Sequence, residues 1–473
     1  MQNRIHVGFG LFSVWVVLID LACLVLGSLI GVAFRIGRGE METYVYDHLD
    51  GWLVFLVSVI LTNYLTGNYK LQNVFSRFDI VVGWGFSMTC ALLVLSITSY
   101  AWFKLLLGRG VLFYSLFSYS LVSLSLRIGL FKSIFGSELF TCRTAIIGTD
   151  ARAQDMRRIV ENAFILPAHR VVAYLNISEL EGDRGRNGII EGVVVLNATG
   201  ESVEDTVKSL NINLLVVAFD DLRRATSLYP ELRKLRFEGV EVLSSLNVEE
   251  LYNARIPVGL LSQETLMQVS LGSAMLLVRR FKRILDIVIS LAAGVIFLPI
   301  GLLVAALIKM TSPHSSVLYS QLRTGHFGRV FNIYKFRTMR EDAEDASGPV
   351  WASPYDPRIT PIGRMLRRFR LDETPQFFNI FVGDMSLVGP RPERPEICAQ
   401  LEKEIPFYAE RQNVMPGLTG WAQIRYPYGS TLEDTRRKLE YDFYYIKNLS
   451  LRLDLQIMLS TLRIVLFGKE RNM

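Results

Sequence analysis

The chain has 473 residues, of which 50% are hydrophobic and 20% charged. Its mean hydropathy is +0.29. That length exceeds one ordinary domain, and the apolar balance excludes a disordered chain and argues against a wholly soluble one. The formal charge of +6 is too thinly spread to argue nucleic acid, but on a membrane protein it suits anionic lipid or phosphorylated substrates. Cys23, Cys90, Cys142 and Cys398 are isolated and match neither a disulfide frame nor a metal spacing, and the scattered histidines suggest no metal site.

Four apolar runs open the chain, at residues 9–34, 52–65, 80–103 and 111–126. A bilayer core needs about 20 apolar residues per helix. The first and third runs reach that length, and the second must borrow flanking residues such as Tyr64 and Leu65. The first is too long for a signal-peptide core and lacks a small-residue cleavage site, so it reads as a retained anchor. Arg35, Arg38, Lys70, Arg77, Arg127, Lys132 and Arg143 lie between or after the runs. Lys104 and Arg109 argue against the simplest topology, yet the character of everything after residue 140 favours both termini inside. Asp20 is almost the only intramembrane charge, so residues 1–138 read as a four-helix anchor without chemistry.

From Thr141 short β-branched runs (144–148, 171–175, 192–196, 214–219, 239–243) alternate with amphipathic stretches (152–163, 203–210, 222–237). This alternation predicts a parallel sheet with helices on its faces over residues 139–262. The first turn, Gly148-Thr149-Asp150-Ala151-Arg152-Ala153, holds one glycine where a dinucleotide fingerprint needs three. The region therefore reads as a degenerate Rossmann-like module for packing or oligomerisation, with a nucleotide or small-ligand sensor as the alternative.

Residues 284–307 form another apolar stretch, about 36 Å long as a straight helix. Arg279, Arg280, Lys282 and Arg283 precede it, Lys309 and Arg323 follow it, and Pro299 interrupts it. A helix over about 284–308 that enters the bilayer, bends at Leu298-Pro299 and leaves on the same side fits both the charges and the proline. A plain transmembrane helix would put the remaining chain on the opposite side.

The densest polar signals lie in residues 317–450. They include Lys335-Phe336-Arg337-Thr338-Met339-Arg340, then Arg364, Arg367, Arg368 and Arg370 just before Asp372-Glu373, and Arg391 between two prolines. Such arginines would lower the pKa of Asp372 and keep it ionised, and they can hold phosphates in bidentate fashion. Thr374-Pro375 reads as the N-cap and first position of a helix to about Val382, which would set the acid pair at a positive helix end. Alternatively one helix runs through the pair and bends at Pro375.

These strings carry a resemblance. The chain resembles the bacterial sugar transferases, the polyprenyl-phosphate phosphoglycosyl transferases of the large monotopic type. Its specific part runs from Arg279 to about Phe467. The matching strings are Lys282-Arg283-Ile284-Leu285-Asp286, Tyr334-Lys335-Phe336-Arg337-Thr338-Met339, Leu371-Asp372-Glu373, Gly383-Asp384-Met385-Ser386-Leu387-Val388-Gly389-Pro390-Arg391-Pro392, and Pro416-Gly417-Leu418-Thr419-Gly420-Trp421-Ala422-Gln423. One departure is Leu298, where smaller members often have Ser before the proline.

The resemblance implies a membrane α-helical plus α/β fold: four N-terminal transmembrane helices, the degenerate Rossmann-like domain, and a monotopic α-rich catalytic domain over 279–473. It implies an undecaprenyl-phosphate glycosylphosphotransferase (EC 2.7.8.-) in the bacterial inner membrane, with its catalytic domain on the cytoplasmic face. Asp372 would attack the β-phosphate of a UDP-sugar, UMP would leave, and undecaprenyl phosphate would take the sugar phosphate. Such a step would initiate exopolysaccharide, capsule or O-antigen synthesis. Glu373 would position Asp372 or share a Mg²⁺ with it, and Lys335, Arg337, Arg367 and Arg391 would bind phosphate. A homodimer through the N-terminal helices and α/β domain is compatible with this architecture.

Two other classes share some features. A membrane-anchored nucleotide-sugar dehydratase or epimerase would need a glycine-rich turn and a Tyr-x-x-x-Lys pair in the α/β domain, whereas the pair here is Tyr100 and Lys104. A non-enzymatic scaffold of a polysaccharide assembly system would leave the C-terminal acids idle.

Overall fold

The computed structural model describes residues 9–69, 77–101, 107–130, 141–162, 169–177, 188–198, 202–219, 228–261, 263, 273–340, 358–426, 429 and 431–467. The chain divides into two compact units, residues 1–254 and 255–473.

In the first unit, helices α1 (Phe9–Arg35), α2 (Leu49–Leu65), α3 (Arg77–Ala101) and α4 (Arg109–Ser125) take up the four apolar runs. Windows in α1, α3 and α4 are long and apolar enough to cross a bilayer. The second run gains its length differently from the sequence reading. Tyr64 and Leu65 already lie inside the 17-residue α2, and the short helix Met41–Asp47 precedes it at an angle of 80°. Lys70, Lys104 and Lys132, used to orient the helices, lie outside the described residues.

Glycines draw α1 and α4 together. A Cβ on Gly27 would sit 2.5 Å from the Tyr119 amide nitrogen, and one on Gly31 would overlap the Ser115 side chain. Small residues permit such close backbone approach between membrane helices. Asp20 is fully engaged. Tyr69 and Tyr119 each donate to its Oδ2 at 2.9 Å, Ser123 donates to Oδ1 at 2.7 Å, and Arg127 pairs with Oδ2 at 3.2 Å. This buried charge is therefore a satisfied part of helix packing.

The α/β part contains β1 (Cys142–Ile147), α5 (Ala151–Asn162), β2 (His169–Ile177), β3 (Ile189–Ile190), β4 (Val193–Ala198), α6 (Ser202–Ser209), β5 (Leu214–Val217), α7 (Tyr229–Phe237) and β6 (Glu241–Ser244). The strand order is β3-β4-β2-β1-β5-β6, parallel except for the antiparallel edge strand β3. Ile146, Tyr174 and Val216 pack under Met156 and Val160 of α5, while Ile147, Leu175 and Leu215 pack under Val203 and Val207 of α6 and Leu235 of α7. Helices on both faces explain why these strands read as continuous apolar runs.

Two boundaries shift for a backbone reason. Gly192 and Gly239 adopt φ of 83° and 98°, so they form turns and their strands begin later. The two-residue β3 is too short for periodicity to reveal. Residues 222–227 of the expected third helix lie outside the described residues. At the first turn, Asp150 Oδ1 accepts the Ala153 amide at 2.9 Å. The helix start that would hold a dinucleotide phosphate is thus capped by the chain's own carboxylate.

The second unit is built along α8 (Ser273–Thr311), a single helix of 39 residues with Pro299 inside it. Near its start Lys282 Nζ meets Asp454 at 2.6 Å. Further along, Phe297 stacks on Phe377 with ring centroids 6.0 Å apart. Near its end Val304 and Ile308 bury against Phe336 and Leu366. The opposite side is apolar and open: Ile284, Val288, Leu291, Val295, Leu298 and Leu302 are all more than half exposed. Such a continuous apolar face calls for lipid or protein cover.

An antiparallel hairpin follows, β7 (Leu318–Thr324) and β8 (Val330–Phe336). Helix α9 (Pro361–Arg368) is capped by Thr360, whose Oγ1 accepts the Gly363 amide at 3.0 Å. A 3-10 turn, Leu371–Glu373, leads to α10 (Gln376–Val382) and β9 (Ser386–Val388). Strand β10 (Gly417–Thr419) pairs parallel with β9. Helices α11 (Leu432–Lys447) and α12 (Leu451–Phe467) close the unit. Gly389 and Gly417 are required by contact, because a Cβ on Gly389 would lie 2.2 Å from the Met415 carbonyl oxygen and one on Gly417 would strike Gly389.

Candidate active site

The acid pair sits at a sharp corner. Arg370, at the end of α9, adopts φ 55°, a left-handed conformation uncommon for a non-glycine residue. It turns the chain into the 3-10 segment where Asp372 and Glu373 are both buried. No helix runs continuously through the pair, and the cap lies one residue later than Thr374. Pro375 is the N-cap of α10, and the Thr374 hydroxyl instead donates back to the Leu371 carbonyl at 2.8 Å.

Strand β8 brings a cation to this corner. Lys335 Nζ donates to Glu373 Oε1 at 3.1 Å, and Arg391 Nη2 donates to the same oxygen at 2.9 Å. Arg370 Nη1 faces Glu373 Oε2 at 3.7 Å. Asp372 has a different environment: its Oδ1 is buried and, among the described residues, meets no hydrogen-bond partner. Arg367 Nε donates to Thr338 Oγ1 at 2.9 Å. Arg337 stands apart from the acids, bonding the Ser316 carbonyl at 2.9 Å and lying over the Tyr319 ring.

The electrostatics divide the pair. Burial alone would raise Glu373, but Arg391, Lys335 and Arg370 overcome it and hold this carboxyl well below the usual carboxylate range. Asp372 goes the other way. Burial raises it, the Glu373 charge adds to that, and Lys335, Arg367 and Arg370 offset only part. The expectation that clustered arginines lower Asp372 is thus corrected. Their charge is spent on its neighbour, which leaves Asp372 the more basic oxygen. Burial also pulls the Lys335 ammonium below its ordinary value, against the attraction of Glu373.

The scaffold behind the corner is heavily bonded. Asn379 of α10 accepts the Tyr334 amide at 3.1 Å and donates to the Asn332 carbonyl at 2.7 Å, which ties α10 to β8. Arg283 of α8 donates to the Ile380 and Phe381 carbonyls at 2.6 and 2.8 Å, capping the end of α10. Asp286 accepts the Leu387 amide at 3.0 Å. The conspicuous strings around Lys282, Lys335 and Asp384 thus meet on one short helix.

A sequence model of the family described as "Bacterial sugar transferase" matches residues 277–468. An Exopolysaccharide production protein PSS of Rhizobium leguminosarum bv. phaseoli is 41% identical over 185 residues, which are 38% of this chain and 92% of that protein. The chain belongs to the bacterial sugar transferase family. The transferase is also 47% identical over 187 residues to a UDP-N-acetylgalactosamine-undecaprenyl-phosphate N-acetylgalactosaminephosphotransferase of Aeromonas hydrophila, covering 40% of this chain and 44% of that one. A UDP-glucose:undecaprenyl-phosphate glucose-1-phosphate transferase of Escherichia coli (strain K12) is 38% identical over 185 residues, 39% of each chain. The transferase thus matches less than half the length of these two relatives.

The family resemblance implies Mg²⁺, and the transferase offers a donor set that suits it. No group of three or more metal-ligating side chains occurs among the described residues. Mg²⁺ commonly needs only one or two carboxylates, completing its shell with water and substrate phosphates. Asp372, buried and with an oxygen that meets no partner among the described residues, would be one such carboxylate. Glu373 would contribute through Oε2, since Oε1 already receives Lys335 and Arg391. The sequence reading assigned no site role to Gln376, Asn379, Arg283 or Asp286. For Gln376 the usable signal was its spacing, four residues beyond Asp372.

Proposed function

We propose that this transferase moves a sugar 1-phosphate from a UDP-sugar to undecaprenyl phosphate through a covalent intermediate on Asp372, releasing UMP. One observation carries the reading: of two adjacent buried acids, one is neutralised by cations while the other keeps a free oxygen. In the first step a lone pair of Asp372 Oδ1 forms a bond to the β-phosphorus. The bond from that phosphorus to the bridging oxygen breaks, and its electrons leave with UMP. In the second, a phosphate oxygen of the lipid attacks the same phosphorus and returns the carboxylate.

Both steps set an anion against an anion, so positive charge must be waiting. Lys335 and Arg391 supply it beside Glu373, and Arg367 is held nearby on Thr338. Arg337, the fourth proposed phosphate-binding residue, is engaged with Ser316. Held by Asp372 and Glu373, Mg²⁺ would supply charge neutralisation for the leaving UMP.

The remaining proposals concern placement. Residues 1–138 anchor the chain, residues 139–262 form a degenerate Rossmann-like module, and residues 279–473 carry catalysis at the cytoplasmic face of a bacterial inner membrane. The span of α8 around Leu298-Pro299 is re-entrant. Its contacts support this: Lys282 and Ile308, about 39 Å apart along the helix, both pack on the same unit. The first membrane step of exopolysaccharide, capsule or O-antigen synthesis is the proposed role, and a homodimer the proposed assembly.

The test is UMP release from a panel of UDP-sugars with undecaprenyl phosphate. The expected result is turnover of at least one donor by the natural chain and none by folded Asp372→Asn. Turnover that survives this substitution would overturn the proposal.

A further inference from the structure

Asp372 Oδ1 is not the only orphan at the corner. Gln376, the first residue of α10, is 1% exposed, and its Nε2 is buried with no hydrogen-bond acceptor among the described residues. Leaving a buried amide donor unpaired costs about 1–3 kcal/mol. Residues four apart on a helical turn are neighbours, and a helical side chain lies over the turn that precedes it. Thr374 and Pro375, the two residues between the 3-10 turn and α10, both have right-handed helical φ/ψ, so the four-residue relation carries from Asp372 to Gln376 and sets the two residues on one face of the corner. The two acids carry acceptors only, and Glu373 Oε1 already receives Lys335 and Arg391. An unpaired donor beside an unpaired nucleophilic oxygen is what a phosphoryl group would complete, its phosphorus toward the carboxylate and one oxygen toward the amide.

We propose that Gln376 is a further catalytic residue, its side-chain amide donating a hydrogen bond to a non-bridging oxygen of the phosphoryl group that Asp372 attacks. The inference rests on the transfer proposed above. Negative charge on that oxygen must be accommodated as the Asp372 oxygen bonds to phosphorus and the bridging oxygen departs with UMP. Lys and Arg provide charge at this corner, while a neutral amide fixed by burial adds direction and distinguishes one non-bridging oxygen from the other.

The experiment uses the full chain in lipid nanodiscs, with UDP-glucose or UDP-N-acetylgalactosamine, whichever it turns over. First-turnover UMP release is measured for this donor and for its two β-phosphorothioate diastereomers, in which sulfur replaces one oxygen and accepts hydrogen bonds poorly. The natural chain is expected to discriminate between the diastereomers. Gln376→Met, similar in size but without a donor, is expected to lose about 100-fold in first-turnover rate with the oxygen donor. Its half-saturating donor concentration should change little, and its diastereomer ratio should collapse toward one. The ratio is taken within each variant, so a loss of folded protein cancels, and Gln376→Glu provides a second reading. An unchanged ratio in both variants, or no discrimination by the natural chain, would overturn the inference. Absence of first-turnover UMP from the natural chain, or its persistence in Asp372→Asn, would instead defeat the underlying transfer.

Discussion

Two neighbouring acids with the same side-chain chemistry are given opposite environments by their surroundings. Glu373 gathers Lys335 and Arg391 onto one oxygen, whereas Asp372 is buried with an oxygen to spare. Arg391→Ala should therefore release part of that charge and lower kcat/KM for UMP release by about 100-fold. Arg337→Ala should change it less than about threefold, since its guanidinium is engaged with Ser316. Equal losses in the two variants would contradict this division. The sequence made the acid pair and its cationic neighbourhood visible through the clustering around Asp372-Glu373. It could not say which acid receives the charge. That depends on the left-handed turn at Arg370 and on a lysine brought from 38 positions away by β8.

At the scale of elements, the glycine-rich strings are contact requirements. Gly389 lies against Met415 and Gly417, so Gly389→Ala should force β9 and β10 apart and destabilise their unit by about 3 kcal/mol. Gly294→Ala on α8, where nothing lies within 4 Å, should be tolerated. Thermal unfolding of the two purified variants makes the comparison, and equal melting temperatures would count against it. The parallel sheet was legible because strands buried on both faces announce themselves as apolar runs, as at Leu214–Val217. The hairpin strand Ile189–Ile190 was not, because two residues carry no period. The start of α10 was misplaced by one residue because the Thr374 hydroxyl turns back to Leu371 instead of capping.

At the scale of the whole molecule, one unit carries the sheet and the four apolar helices α1–α4, and the other is strung along α8. The apolar length of α8 was plain from composition, but its use as a packing spine was not. Lys282, Arg283, Asp286, Val304 and Ile308 all bond or pack within the unit that also holds Asp372. Cysteines replacing Arg280 and Ser312 should therefore react with an impermeant reagent from the same side of the membrane. Accessibility from opposite sides would contradict a re-entrant helix. The central claim is chemical, and it is tested most directly by mixing the full chain with a UDP-sugar, omitting the lipid acceptor, quenching in mild acid and digesting for mass spectrometry. The expected result is a sugar phosphate on the peptide bearing Asp372 that disappears when undecaprenyl phosphate is added before the quench. UMP release with no adduct on Asp372 would contradict the account.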